Sequence, residues 1–268
     1  MKIFGILNRT EDSFSDGGKY ISLQSATEKA LELFHDGAHV IDIGAQSSNP
    51  DAKKISSDEE WSRIQPLIPI LKQKKIPISI DTYRKEVIEK SILANVDYIN
   101  CINSFKEEES LEILSTHSKN LPELILMFSH NEAEVAEKQS YLKTETVIST
   151  ILKYFDNKIN QFLKKNIPLE KLIFDPGMGF FLGEDANLSL KVLKEIDYIQ
   201  RKLQRVLVSV SRKSFIGNVL GGLPPSGRAA GTLALELYLY DLGIFALRTH
   251  EPKQITQGII LRNRMKEI

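Results

Sequence analysis

The chain holds a single cysteine, Cys101, so no disulfide can form within it. That suits a reducing compartment and leaves stability to the core. Charge of one sign is not in excess, with Lys and Arg together numbering 35 and Asp and Glu 35. No overall field therefore draws the chain to nucleic acid or to an anionic membrane, although a local anion site stays open. No apolar run approaches the ~18 residues that span a bilayer. The opening MKIFGILNRT is too short for a secretory signal and offers no small-residue cleavage site. The expected location is the cytoplasm. Zinc-type Cys/His spacing is absent, as are a GxSxG elbow, a GxGxxG fingerprint and a P-loop. Nucleophilic catalysis has little support, and DGG at 16–18 is too weak alone to be a phosphate loop.

What is present is alternation. Eight β-like runs stand out: KIFGILN (2–8), HVIDIG (39–44), IPISIDT (76–82), DYINCIN (97–103), ELILMFS (123–129), KLIFDPG (171–177), RVLVSVS (205–211) and IFALRTH (244–250). Most are apolar on both alternating faces, as in parallel strands covered on both sides. Amphipathic helical stretches lie between them at 22–37, 56–75, 144–166 and 227–243. Ser and acidic residues open the second, and Pro66 and Pro69 should kink or shorten it. No linker or low-complexity tract divides the 268 residues, a length near the ~250 of a typical α/β barrel. The expectation is one domain, 1–268, folded as a (β/α)8 TIM barrel. A doubly wound open sheet is the alternative.

In such a barrel the C-terminal strand ends build the active site. Here they carry Asn8, Asp42, Asp81, Asn100 with Asn103, Ser129 with His130, Asp175, Lys213, and Arg248 with His250. A wet strand end would account for any one of these. It accounts less well for cations placed directly after apolar runs, as in SRKSF and LRTH. Carboxylates and amides converging on one mouth suit a flat heterocycle with N–H donors, and a neighbouring Arg/His set suits a phosphate. Arg248 and His250 are two apart, so strand geometry points both to one face.

The string GILNRTEDSFSDGG (5–18) resembles the first-loop motif of dihydropteroate synthases. The resemblance continues in order through VIDIGAQSSNPDA, SIDT, INCIN, FDPGMGF, SRKSFIG and LRTH, and covers essentially the whole chain. SSNPDA and DPGMGFFLG look most like the plasmid-borne sulfonamide-resistant members and their chromosomal relatives. Several positions depart from the common pattern. Asn49 replaces an arginine, as in the resistant subgroup, Cys101 an aspartate and Phe128 a histidine; Arg9 and Glu11 also differ.

The resemblance implies the same barrel, and joining of 6-hydroxymethyl-7,8-dihydropterin pyrophosphate to 4-aminobenzoate with release of pyrophosphate. It implies that Asp175 accepts two N–H bonds from the pterin edge, with Asp42, Asp81, Asn100 and Lys213 around the ring. Arg248 and His250 would clamp the pyrophosphate and, with Lys213, be the catalytic set. Asn8 would ligate Mg2+ beside it, while Ser48, Phe105 and Ser214 would line the aminobenzoate site. Loops Asp12 to Gly18 and Gln46 to Lys54 would close over the amine. A homodimer is expected, with the largely apolar 227–243 helix suited to its face, and no nucleic-acid or membrane partner. Asn49 and Phe105 imply sulfonamide tolerance, Phe105 by narrowing the space beyond the aminobenzoate carboxylate. The alternatives are a pterin-dependent methyltransferase on a related barrel and a catalytically lapsed pterin-binding protein, the latter motivated by Cys101 and Phe128.

Overall fold

The computed structural model describes residues 1–9, 22–46, 54–131 and 140–268. Ser48, Asn49, Glu11 and the Asp12 to Gly18 loop lie outside the described residues, as does most of the Gln46 to Lys54 loop. Eight parallel strands form one sheet: β1 (Lys2–Asn8), β2 (Val40–Gly44), β3 (Ile78–Asp81), β4 (Tyr98–Cys101), β5 (Glu123–Met127), β6 (Leu172–Asp175), β7 (Leu207–Val208) and β8 (Ala246–Thr249). Their order is β6-β5-β4-β3-β2-β1-β8-β7. A parallel bridge between Phe174 and Val206 joins the two ends, so the sheet closes into the expected barrel. The closing seam is thin. The run at 205–211 keeps only two residues as regular strand, because the chain leaves the ladder at Ser209.

The helices among the described residues are α1 (Leu23–His35), α2 (Ser57–Ile64), α3 (Leu67–Gln73), α4 (Lys85–Leu93), α5 (Glu108–Thr116), α6 (Val147–Lys164), α7 (Ala186–Lys194), α8 (Ile196–Leu203), α9 (Ser214–Val219), α10 (Ala229–Asp241) and α11 (Pro252–Lys266). Local chemistry sets several starts. Ser22 Oγ accepts from Ser25 N at 3.1 Å, and Ser56 Oγ from Glu59 N at 3.1 Å, each satisfying an orphan donor. The helix expected over 56–75 is divided at Pro66, which stands between α2 and α3. Pro69 falls in the first turn of α3, where its missing N–H costs nothing. α4, α5, α7, α8, α9 and α11 lie outside the four helical stretches expected from the sequence. None of the helices is long and apolar enough to cross a membrane.

Strand alternation divides the core in two. Ile3, Ile41, Ile43, Ile80, Ile99, Leu124, Leu126 and Phe174 face the helices in one large cluster. Phe4, Val40, Tyr98, Ile125, Ile173, Leu207 and Ala246 face inward and plug the barrel floor. The outer layer is aromatic beneath β6, where Phe155 of α6 meets Phe174 at 5.1 Å and Tyr154 at 5.3 Å, both edge to face. Phe155 is fully buried. Phe155→Ala should cost about 3–5 kcal/mol of unfolding free energy, transfer and cavity combined, measured by urea denaturation.

Candidate active site

The mouth is built two residues above the floor. On each strand the residue two positions past a floor residue points the same way. Val40 is followed by Asp42, Tyr98 by Asn100, Ile173 by Asp175, Leu207 by Ser209 and Ala246 by Arg248. Ser79 pairs in register with Asp42, and Asp81 with Gly44 on the same face. Asp42, Ser79, Asn100, Asp175 and Ser209 are all buried, so a polar layer sits on an apolar plug. Among the described residues Asp42 Oδ1, Ser79 Oγ and Ser209 Oγ have no hydrogen-bond partner, which equips this layer to meet a polar ligand.

Arg248 organises that layer. Its Nε donates to Asp42 Oδ2 at 2.5 Å and its Nη2 to Asp81 Oδ2 at 2.6 Å. Asn100 Nδ2 reaches the same Asp42 oxygen at 3.4 Å. Neighbouring carboxylates push the Arg248 pKa further up despite burial. Burial pushes Asp81 upward, with Arg248 pulling the other way. The two carboxylates hold the guanidinium in place in the lumen.

Asp175 answers to a glycine. Its Oδ1 accepts from Gly177 N at 2.8 Å, which orients the carboxylate at the strand end. Gly177 has φ +74, and a Cβ there would lie 2.3 Å from the Phe128 carbonyl oxygen, so only glycine fits the turn. Burial raises the Asp175 pKa to about 6, opposed by the Gly177 N–H and by Lys213 and Arg248. Lys213 stands across from it, 4.6 Å over the Phe181 ring. Burial and Arg248 lower its pKa to about 8, with Asp175 and Asp81 opposing. Ser214 follows at the start of α9, its Oγ 3.0 Å from where a Gly179 Cβ would be. Ile102, Met127 and Phe181, with Phe180 and Tyr83 against them, make an apolar patch beside these groups.

Behind β7 and β8 a second network fixes the cations. Arg212, directly before Lys213, is held at φ +57. Its N–H donates to Thr232 Oγ1 at 3.1 Å, and its carbonyl accepts from Arg228 Nη1 at 2.8 Å. Its guanidinium pairs with Glu251 at 2.5 Å. The start of α10 therefore sets the direction in which Lys213 leaves the strand. Glu236 of α10 is buried beside Thr249, the residue between Arg248 and His250. His250 itself is held by Ser211, its Nδ1 2.9 Å from Oγ.

The structure thus gathers Asn8, Asp42, Asp81, Asn100, Asp175, Lys213, Ser214, Arg248 and His250 around one mouth. It does not bring Phe105 there. Phe105 is buried in the outer cluster, edge to face with Phe162 at 6.0 Å. Positive φ at Ser104 and Phe105 turns the chain outward after β4. The Phe105 side chain therefore lies in the helix-facing layer of this structure. Cys101 and Phe128 also face the helices: each follows a lumen-facing position by one residue. Cys101 is fully buried, its thiol pushed up to about 12 by burial, and Phe128 packs edge to face on Tyr154 at 5.2 Å. Neither departure alters the mouth. Sequence reasoning missed Ser209, Ser211, Phe181, Thr232 and Glu236. Alternation along RVLVSVS would have found the two serines, whereas no local signal marks the other three.

Glu236 generates a test. Burial raises its pKa from 4.5 to about 8, and Glu251 adds to the shift. A raised carboxyl stabilises the fold fully below its unfolded value near 4.5 and loses that contribution as pH climbs through about 8. Urea midpoints of the wild type should therefore fall between pH 5 and 8, and Glu236→Gln should flatten that fall.

Comparison with known proteins places these features in context. The model of the pterin binding enzyme family matches residues 4–250. The dihydropteroate synthase type-3 of Escherichia coli is 42% identical over 96% of this chain and 97% of its own. The type-2 enzyme of Escherichia coli is 38% identical over 99% of this chain and 96% of its own. Among solved structures, the Yersinia pestis dihydropteroate synthase with a sulfonamide drug superposes with a TM-score of 0.88 at 29% identity, covering 100% of this chain and 94% of that one. The Xanthomonas albilineans dihydropteroate synthase with 4-aminobenzoic acid gives 0.86 at 26% identity, covering 100% and 93%.

Proposed function

The chain belongs to the pterin-binding enzyme family and works as a dihydropteroate synthase, and we propose how its own residues divide the reaction. 6-Hydroxymethyl-7,8-dihydropterin pyrophosphate is joined to 4-aminobenzoate, giving 7,8-dihydropteroate and pyrophosphate. The observation that carries the assignment of roles is the polar layer of Asp42, Asp81, Asn100, Asp175 and Lys213 above the sealed floor. A flat bicycle with a two-donor edge needs a carboxylate held still, and Gly177 holds Asp175. Charged acceptors make such bonds short and directional. Lys213 donates to the opposite carbonyl edge, Asn100 and Asp81 hold the flank, and the Phe181 side supplies apolar contact.

Departure of pyrophosphate builds negative charge, which Arg248 and His250 are placed to meet. Arg248 is preorganised by Asp42 and Asp81, so little reorganisation accompanies the step. The pterin methylene becomes electron-poor as the bond breaks, and the aniline nitrogen of 4-aminobenzoate attacks it without a general base. Ser214 is at hand for the aminobenzoate; Ser48 belongs to the same proposal by resemblance.

Mg2+ fits the mouth as a metal held chiefly by substrate. Asn8 Oδ1 and Asp81 Oδ2 are hard oxygens, each 3.7 Å from a Cβ placed on Gly44 between them. No cluster of three His, Cys, Asp or Glu among the described residues forms a protein cage. Asn8 would hold the ion, with phosphate oxygens and water completing it, and the ion would neutralise charge on the leaving group.

Sulfonamide tolerance is part of the proposal, resting on resemblance at Asn49 and not on Phe105. Dimerisation belongs to it as well, supported by exposed Tyr238, Ile260, Leu261 and Met265 on α10 and α11. A cytoplasmic setting accords with the lone buried Cys101.

Purified protein with both substrates and Mg2+ should release pyrophosphate; silence across conditions would overturn the reading. The pH profile of kcat/KM for the pterin substrate should be bell-shaped. Asp175 must be ionised to accept, giving an acid limb near pH 6, and Lys213 must be charged to donate, giving a basic limb near pH 8. Lys213→Arg keeps its charge beyond this range and should abolish the basic limb. Lys213→Ala should cost about 1.5–3 kcal/mol of pterin binding by calorimetry. Phe105→Ala should lower the urea midpoint while leaving the sulfonamide inhibition constant unchanged.

A further inference from the structure

One hydroxyl touches His250 twice. Ser211 Oγ lies 2.9 Å from Nδ1 of the ring and 3.2 Å from the backbone N of the same residue. The backbone N–H can only donate, so Oγ accepts there. The contact to the ring is then decided by the one hydrogen on Oγ. Ser211 is 3% exposed, and among the described residues its oxygen has no further hydrogen-bond partner. If Nδ1 carried the proton, Oγ would accept twice and its own hydrogen would be buried without an acceptor. If Nδ1 is bare, every donor and acceptor in the trio is used. The ring must then carry its single proton on Nε2.

We propose that Ser211 is a positioning residue that locks His250 as the neutral Nε2–H tautomer, so that the ring presents a fixed neutral donor to the pyrophosphate. The inference rests on the dihydropteroate synthase reading of the mouth and adds a residue to it. The surroundings agree. Burial, Arg248, Arg212 and Lys213 hold the ring's pKa down to about 3, so a second proton on Nδ1 is disfavoured over the working range. His250 therefore contributes direction, and Arg248 and Lys213 contribute charge. Ser211 lies just past the seventh strand and His250 just past the eighth, so the contact also ties the two beyond their short ladder, where Leu207 and Val208 pair with Ala246 and Leu247.

The test reads the tautomer directly. Protein labelled with 15N at histidine, with His250→Gln to assign the signal, reports which ring nitrogen bears hydrogen. The wild type should show the Nε2–H pattern near neutral pH, and Ser211→Ala should shift it to a mixture. KM for the pterin pyrophosphate should rise about ten-fold in Ser211→Ala, the worth of one directed hydrogen bond, with KM for 4-aminobenzoate unmoved. Ser211→Thr, which keeps the hydroxyl, should restore both readouts. An Nδ1–H or doubly protonated ring in the wild type would overturn the proposal, as would an unchanged tautomer in Ser211→Ala. The wild-type spectrum decides the matter even if Ser211→Ala fails to fold. An inactive wild type with the Nε2–H pattern would sink the reading of the reaction while upholding the lock.

Discussion

Arg248 is bound to two carboxylates on two other strands, and the order of the mouth follows from that arrangement. A guanidinium above an apolar plug is costly unless its donors are used, and Asp42 and Asp81 use them. The same bonds fix the carboxylates that would otherwise repel one another. β8, β2 and β3 are thereby joined through side chains on the lumen side, around β1, which pairs with both β2 and β8. The result is a cation whose position is set before any substrate arrives. For a reaction whose barrier is the growth of charge on a leaving group, preorganisation of this kind is the main contribution a protein can make.

The second constraint lies outside the barrel. Lys213 and His250 follow the seventh and eighth strands, the thinnest part of the sheet. Thr232, Arg228 and Glu251 hold Arg212 in a left-handed turn, and Glu236 is buried beside Thr249. α10 therefore does for these two loops what ladder hydrogen bonds do for the other strands. The buried carboxyl of Glu236 is tolerable because it is neutral over much of the pH range.

Most of the site could be read in the chain because a parallel strand has a period of two. Asn8, Asp42, Asp81, Asn100, Asp175 and Arg248 terminate apolar runs, and the strand ends of a barrel share one rim. The same period corrects the unease over Cys101 and Phe128. Each sits one residue beyond a lumen position and so belongs to the helix-facing layer. For Phe105, resemblance gives a position in the sequence but not a direction. Two residues with positive φ turned it into the core.

The sequence by itself determined the eight alternations and most of the groups at the mouth, because hydrophobic periodicity and strand-end chemistry are local and repeat with the backbone. Tertiary structure alone decided how those groups pair. Arg248 meets Asp42 across 206 positions and Asp81 across 167, and Ser211 meets His250 across 39. Such contacts depend on the stagger of strands around the barrel and on the seat of α10 behind it. Both are set by packing of the whole core, which no single segment encodes.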